Sequence, residues 1–157
     1  MKLDAFGMGN ALIDFVVEAD EDFLAEADLK KGVMQLVDER QFMDLVTKLK
    51  KSKFTILPGG SAANAMIGIA RLGGKSAFCG KVGDDFHAAE YVSKLTAAKV
   101  ASSVISIKGI TGTCVSIVTR DKERTMATCL AVSSQLEPGD LPWKQMANAK
   151  LIHCEGY

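Results

Sequence analysis

The chain has 157 residues, 48% of them hydrophobic, which suffices for one domain with a real core, and 19 Lys+Arg against 19 Asp+Glu leave no net charge. Its basic residues are scattered apart from Lys48, Lys50, Lys51 and Lys53, so nothing points to nucleic acid, and no apolar run approaches the length of a membrane span. Four cysteines without a Cys-x-x-Cys pair, only two histidines, no signal-like N-terminus and no Asn-x-Ser/Thr site point to reduced, buried thiols in a cytoplasmic protein and give zinc no support.

In chain order, Leu3 to Gly9 reads as a first strand, and Asp14 to Asp20 alternates like a half-exposed one. A short acidic helix follows from Asp20 to Ala27, with Phe23, Leu24 and Ala27 on one face, and then a strand from Gly32 to Asp38. Asp38 suits the N-cap of an amphipathic helix that aligns Phe42, Leu45, Val46 and Leu49. A β-like run, Phe54 to Leu57, leads into Pro58-Gly59-Gly60-Ser61-Ala62-Ala63-Asn64 and a helix of small residues from a Ser61 N-cap to Leu72, closed by Gly73 and Gly74. Ser76 to Val82 reads as a buried-type strand, and Asp85 caps a helix running to about Ala98. Val104 to Ile107 and Cys114 to Thr119 are strand-like, and Thr125 to Leu130 pairs back across Asp121 to Arg124. Pro138 to Ala149 supplies a turn and a short helix before a last strand, Lys150 to Cys154.

Helices between buried-type strands imply an α/β fold with a mainly parallel sheet covered on both faces. The alternating strands Asp14 to Asp20, Gly32 to Asp38, Cys114 to Thr119 and Thr125 to Leu130 fit a separate, small antiparallel layer. No repeat or linker divides the chain, so the two layers are interleaved.

Gly59 and Gly60 let the backbone turn sharply near a ligand, and the helix beyond them offers unpaired N–H groups to a polar small molecule. Asn64 falls in the first helical turn, within reach of the same crevice, and Asn10 and Asp14 follow the first strand. A carboxylate and amides at fixed positions match the donors and acceptors of a sugar. The alternatives are an ordinary strand-to-helix turn and a solvated strand-end acid. Gly7-Met8-Gly9-Asn10-Ala11-Leu12 fails as a dinucleotide fingerprint because Leu12 stands at the third glycine, and Gly68 to Ser76 fails as a P-loop in spacing and in closing a helix. Asp84 and Asp85 fit a loop acid and a helix cap better than a metal pair.

These segments, with Arg71-Leu72-Gly73-Gly74, Gly80-Lys81-Val82-Gly83-Asp84-Asp85, Thr111-Gly112-Thr113-Cys114, Glu123-Arg124-Thr125-Met126 and Glu155-Gly156-Tyr157, resemble in order and spacing the ribokinase-like, or PfkB, family of carbohydrate and nucleoside kinases, especially its adenosine-kinase-like branch. The resemblance implies a three-layer α/β/α body with a small β-sheet lid, the lid segments at about 14–38 and 112–130 interleaved with the body, and residues 1–157 as the N-terminal, acceptor-binding part. It implies that Asn10, Asp14, Gly59, Gly60 and Asn64 line the pocket for sugar hydroxyls. Cys114 and Leu130 become lid contacts or lid packing, and Arg124, common in the family's lid hairpin, receives no role.

The implied reaction transfers the γ-phosphoryl of ATP, with Mg²⁺, to a hydroxymethyl oxygen, using the Asp of a Gly-Ala-Gly-Asp motif as base and an Asn-x-x-Glu near the metal. Neither motif occurs here, and Pro138-Gly139-Asp140 is a turn. The base and the main ATP and Mg²⁺ residues are therefore expected beyond Tyr157, leaving an acceptor-binding half without a metal site and without catalytic competence of its own. A nucleoside such as adenosine is the favoured partner, and fructose or ribose comes second. A non-catalytic ligand-binding or dimerising fragment, with a homodimer through the lid or an exposed sheet edge, is the further alternative.

Overall fold

A computed structural model describes residues 2–155, so Gly156 and Tyr157 of the closing motif lie outside the described residues. Strand β1 (Leu3–Met8) is central in a four-stranded parallel sheet of order β11-β1-β5-β7, with β5 at Ser76–Cys79, β7 at Ala101–Ser102 and β11 at Ala149–Cys154. The expected single strand from Ser76 to Val82 breaks at Gly80, where a Cβ would come within 2.8 Å of the Gly9 carbonyl oxygen. Beyond the break, β6 (Lys81–Val82) and β8 (Ile105–Ser106) form a separate parallel pair, joined to the first by Ile105 N–H donating to Gly80 O at 2.9 Å.

Helices α3 (Ser61–Arg71) and α4 (Phe86–Ala97) cover one face of this sheet, burying Met66, Phe78, Tyr91 and Leu95 completely. The small residues of α3 allow close approach: a Cβ on Gly7 of β1 would meet Met66 Cγ at 2.7 Å. The other face carries α5 (Trp143–Met146) and 3-10 turns at Ala131–Gln135 and Pro138–Asp140, over Phe6, Ala77 and Cys79. These turns are pinned by Lys81, only 7% exposed, whose Nζ donates to Gln135 O at 2.8 Å and pairs with Asp140 Oδ2 at 2.7 Å. The result is the three-layer α/β/α body.

The second sheet is five-stranded, in the order β3 (Met34–Leu36), β10 (Arg124–Cys129), β9 (Gly112–Val118), β2 (Leu12–Glu18), β4 (Thr55–Gly59). It is mixed where an antiparallel layer was expected, because β9 runs parallel to β2 and β3 parallel to β10. The run Gly32 to Asp38 keeps only three residues as strand, and β4, which leads into the glycine bend, belongs to this sheet and not to the body. Its inner face buries Val17, Val115, Ile117 and Ala127 under α1 (Glu21–Glu26) and α2 (Glu39–Lys48), which contribute Leu24, Phe42 and Leu45. Asp38 and Gln41 close a capping box at the start of α2. None of the apolar clusters includes a residue of the opposite face.

Further details depart from the sequence reading. Gly60, at φ 89°, is the N-cap of α3, so Ser61 is the first helical residue and not the cap. Cys79, Cys114 and Cys129 are buried free thiols as expected, but Cys154 is exposed at the end of the edge strand β11. Asp85 caps α4 through Ala88 N–H and also accepts from the Thr111 N–H and hydroxyl, both at 2.7 Å, while Asp84 accepts from Gly109 N–H at 3.1 Å. Among the described residues, no helix is long and apolar enough to cross a membrane.

The two strand edges differ. On β4, Pro58 has no N–H to offer and Lys94 Nζ takes the Ile56 carbonyl at 2.9 Å, so that edge is blunted. On β11 nothing pairs the outer edge among the described residues, and Leu151 and Ile152, pointing to opposite faces, are 54% and 46% exposed. We expect this chain to self-associate in a concentration-dependent way, and Leu151→Lys to shift it toward monomer, as read by sedimentation velocity. A wild-type chain that stays monomeric at the highest attainable concentration defeats the expectation.

Candidate functional site

The two sheets meet where the chain crosses between them, and the Gly59–Gly60 bend lies at that seam. Register places Leu12 opposite Gly59 and Asp14 opposite Leu57, and a Cβ added to Gly59 would occupy the space of the Asp14 carboxylate. Likewise, a Cβ on Gly60 would collide with the Asn10 carbonyl oxygen. Asn64 N–H donates to Gly60 O at 2.9 Å as the first hydrogen bond of α3, and the Asn64 side chain is exposed. Asn10, Asp14, Gly59, Gly60 and Asn64 thus gather around one bend, although they come from two separate segments.

The open N-terminus expected for α3 is not open. Glu155, just past β11, accepts from Ala62 N–H and from the Ser61 hydroxyl, and its Oε2 lies where it would meet a Cβ on Gly9 at 2.7 Å. A carboxylate there is favoured by the helix dipole and satisfies one orphan donor. Because Ser61 and Asn64 are three apart, they share a helix face, and Glu155 therefore joins the group on the Asn64 side. Tyr91 lies beneath: fully buried on α4, it donates its hydroxyl to Gly59 O at 3.3 Å, stacked obliquely on Phe78 at 6.3 Å. Glu155 enters the sequence reading only within the closing Glu155-Gly156-Tyr157 segment, without a role, and nothing in the spacing signals Tyr91, since both reach the bend only through packing of distant segments.

Electrostatics follow from burial. Desolvation raises the Asp14 carboxyl above its ordinary 3.8, against the opposing charge of Arg124. Burial also raises Glu155, opposed by Ala62 N–H and His153. The Tyr91 phenol is pushed well up by burial and by the nearby Asp14 and Glu155, so it stays a donor. Burial pushes the Cys114 thiol up to about 11, with Thr128 opposing, which makes it a wall and not a nucleophile.

Side-chain alternation carries the site onto the outer face of the second sheet. Asp14, Cys114 and Thr128 stand in one row across β2, β9 and β10, followed by Val16, Ser116 and Met126 in the next. Met34 and Leu36 of β3 extend these rows, at 40% and 63% exposed. The Arg124 charge is felt by both Asp14 and Cys114, so its side chain lies along this face. Leu130, half-buried, follows β10 at the seam, where its carbonyl oxygen would meet a Cβ on Gly112 at 2.8 Å, so it frames the joint more than the floor.

Comparison with known proteins gives this geometry its context. The model of the "pfkB family carbohydrate kinase" matches residues 33–157. The chain belongs to the pfkB family. An adenosine kinase of Saccharomyces cerevisiae is 27% identical over 161 residues, covering 96% of this chain and 46% of that protein. A fructokinase of Klebsiella pneumoniae is 36% identical over 89 residues, 54% of this chain and 29% of the relative. The solved adenosine kinase of Sinorhizobium meliloti superposes with a TM-score of 0.92 and 32% identity, over 100% of this chain and 48% of its own. The chain therefore spans about half the length, or less, of these pfkB relatives.

Because the folded Asp14 carboxyl is raised above its unfolded value, the ionised form costs stability in full above the raised value, and the cost fades as pH falls toward 3.8. Asp14→Asn should therefore hold or raise Tm at pH 7 and lose that advantage in acid, as measured by calorimetric scans at pH 7 and pH 4. A Tm that falls at pH 7 by the amount seen in acid would contradict the assigned burial.

Proposed function

We propose that this chain is the acceptor-binding half of a pfkB-family nucleoside kinase. In this reading the ribose sits at the glycine bend: Asp14 accepts hydrogen bonds from ring hydroxyls, the Asn10 and Asn64 amides complement them, and the Gly59–Gly60 backbone comes close because no Cβ intervenes. Asp14 then orients the acceptor, and the seam between the sheets keeps water from its far side.

The observation that favours a nucleoside over a bare sugar is the floor beyond Asp14. Cys114, Met126, Met34 and Leu36 extend the site along the sheet as a mainly apolar surface next to a polar corner, a shape suited to a flat heterocycle joined to a polyol. Likeness to a fructokinase supports a sugar acceptor as the second reading.

ATP with Mg²⁺ is the phosphoryl source that this family membership implies. Among the described residues no three His, Cys, Asp or Glu converge to hold a metal, and the Asp84 and Asp85 carboxylates are committed to backbone and hydroxyl donors. The residues present do not fit the metal, and the chain's part in the reaction is binding and orienting the acceptor.

Titration calorimetry with adenosine, ribose and fructose tests the proposal. Adenosine is expected to bind most tightly. Asp14→Asn should weaken it by roughly tenfold to a hundredfold, the scale of one charge-assisted hydrogen bond. Gly59→Ala should abolish binding by displacing Asp14. A folded chain that binds none of the three refutes the reading, and fructose or ribose binding better than adenosine transfers it to a sugar kinase.

A further inference from the structure

Among the described residues, buried side-chain polar atoms without a partner are Gln35 Nε2, His87 Nδ1, Thr113 Oγ1 and Ser116 Oγ. Such a group is costly relative to a satisfied one and asks for an explanation. Three of the four lie away from the site. Thr113 alternates to the helix-covered face of β9, Gln35 points opposite to Met34 and Leu36, and His87 sits on α4 against Phe15 at 5.4 Å.

Ser116 is different. It is 3% exposed and lies on the outer face, in register between Val16 on β2 and Met126 on β10. It stands two residues along β9 from Cys114, which is opposite Asp14, so its hydroxyl lies roughly 7 Å from the Asp14 row by strand geometry. Its in-register neighbours across the sheet are Val16 and Met126, and Cys114 and Val118 precede and follow it on this face of β9, none of them a strong hydrogen-bonding partner, while Asp14, Glu18, Arg124 and Thr128 stand one row away. Among the described residues, no helix contributes to an apolar cluster on this face, and the methionine in register beside Ser116, Met126, is a flexible side chain that a ligand can move aside.

We infer that Ser116 is a specificity-determining residue: its hydroxyl is held for a hydrogen-bonding atom on the heterocycle of a nucleoside acceptor whose polyol end is anchored at Asp14. This rests on the nucleoside reading above and adds the residue that makes the otherwise apolar floor selective. A planar ring with nitrogen or carbonyl atoms at its edge, attached to a ribose at the bend, reaches Ser116, whereas ribose alone stops short. A buried hydroxyl that meets its partner only in the complex rejects ligands lacking that partner, because they leave it unpaired.

The test is Ser116→Ala on the whole chain, read by thermal unfolding without ligand and by calorimetry with adenosine and with ribose. In the free protein the variant should be as stable as wild type or more stable, since it removes an unpaired buried hydroxyl. Adenosine affinity should fall by about fivefold to tenfold, the scale of one net hydrogen bond, with ribose affinity unchanged. Ser116→Thr, which keeps the hydroxyl, should retain more of the adenosine affinity than Ser116→Ala. Loss of stability in the alanine variant shows that the hydroxyl has a partner within the fold and overturns the inference. Unchanged adenosine affinity, the outcome if the hydroxyl serves only a resident water, overturns it too, as does an equal loss for adenosine and ribose. If wild type binds neither ligand, the nucleoside reading falls and takes this inference with it. If wild type binds adenosine and the alanine variant binds it equally well, only this inference falls.

Discussion

The site depends on one steric constraint: the space next to the Gly59 Cα is filled by the Asp14 carboxylate. A residue with a side chain at 59 would expel the acid or break the β2–β4 pairing that carries it. The same exclusion recurs one residue on, where Gly60 leaves room for the Asn10 carbonyl and takes φ 89° to start α3. Two glycines thus let two distant chain segments converge without side chains between them, and Tyr91 supports the arrangement from the core through the Gly59 carbonyl.

This convergence is held at an electrostatic cost. Asp14 and Glu155 are carboxylates in partly dry surroundings, both raised by burial, and both lie within the field that keeps Tyr91 protonated. Burying charge without full compensation destabilises the free protein. The structure offsets part of it with Ala62 N–H on Glu155 and the Arg124 charge near Asp14. An unpaired, buried Ser116 hydroxyl on the same sheet face adds to this cost.

The two halves of the fold were unequally legible. Strong periodicity and two of the three caps read correctly: Asp38 and Asp85 cap α2 and α4, and Phe42 and Leu45 are buried as the helical stripe requires, whereas the cap expected at Ser61 is Gly60. Strand identity read less well. Phe54 to Leu57 carries an ordinary β pattern, and nothing in it says that it pairs with β2 instead of joining the parallel body. Direction was hidden too, because alternation is the same in parallel and antiparallel strands, and so the second sheet's mixed order did not show.

For the candidate site, the sequence by itself determined which residues lack side chains and which carry amides and acids: Gly59, Gly60, Asn10, Asp14 and Asn64 were singled out because their chemistry is local to each residue. The tertiary structure alone decided that Glu155 occupies the helix N-terminus thought to be free, that Tyr91 lies under the bend, and that Ser116 shares a face with Asp14. The physical reason is that burial, desolvation and hydrogen-bond pairing belong to groups far apart along the chain, and become defined only when packing and strand register bring them to the same place.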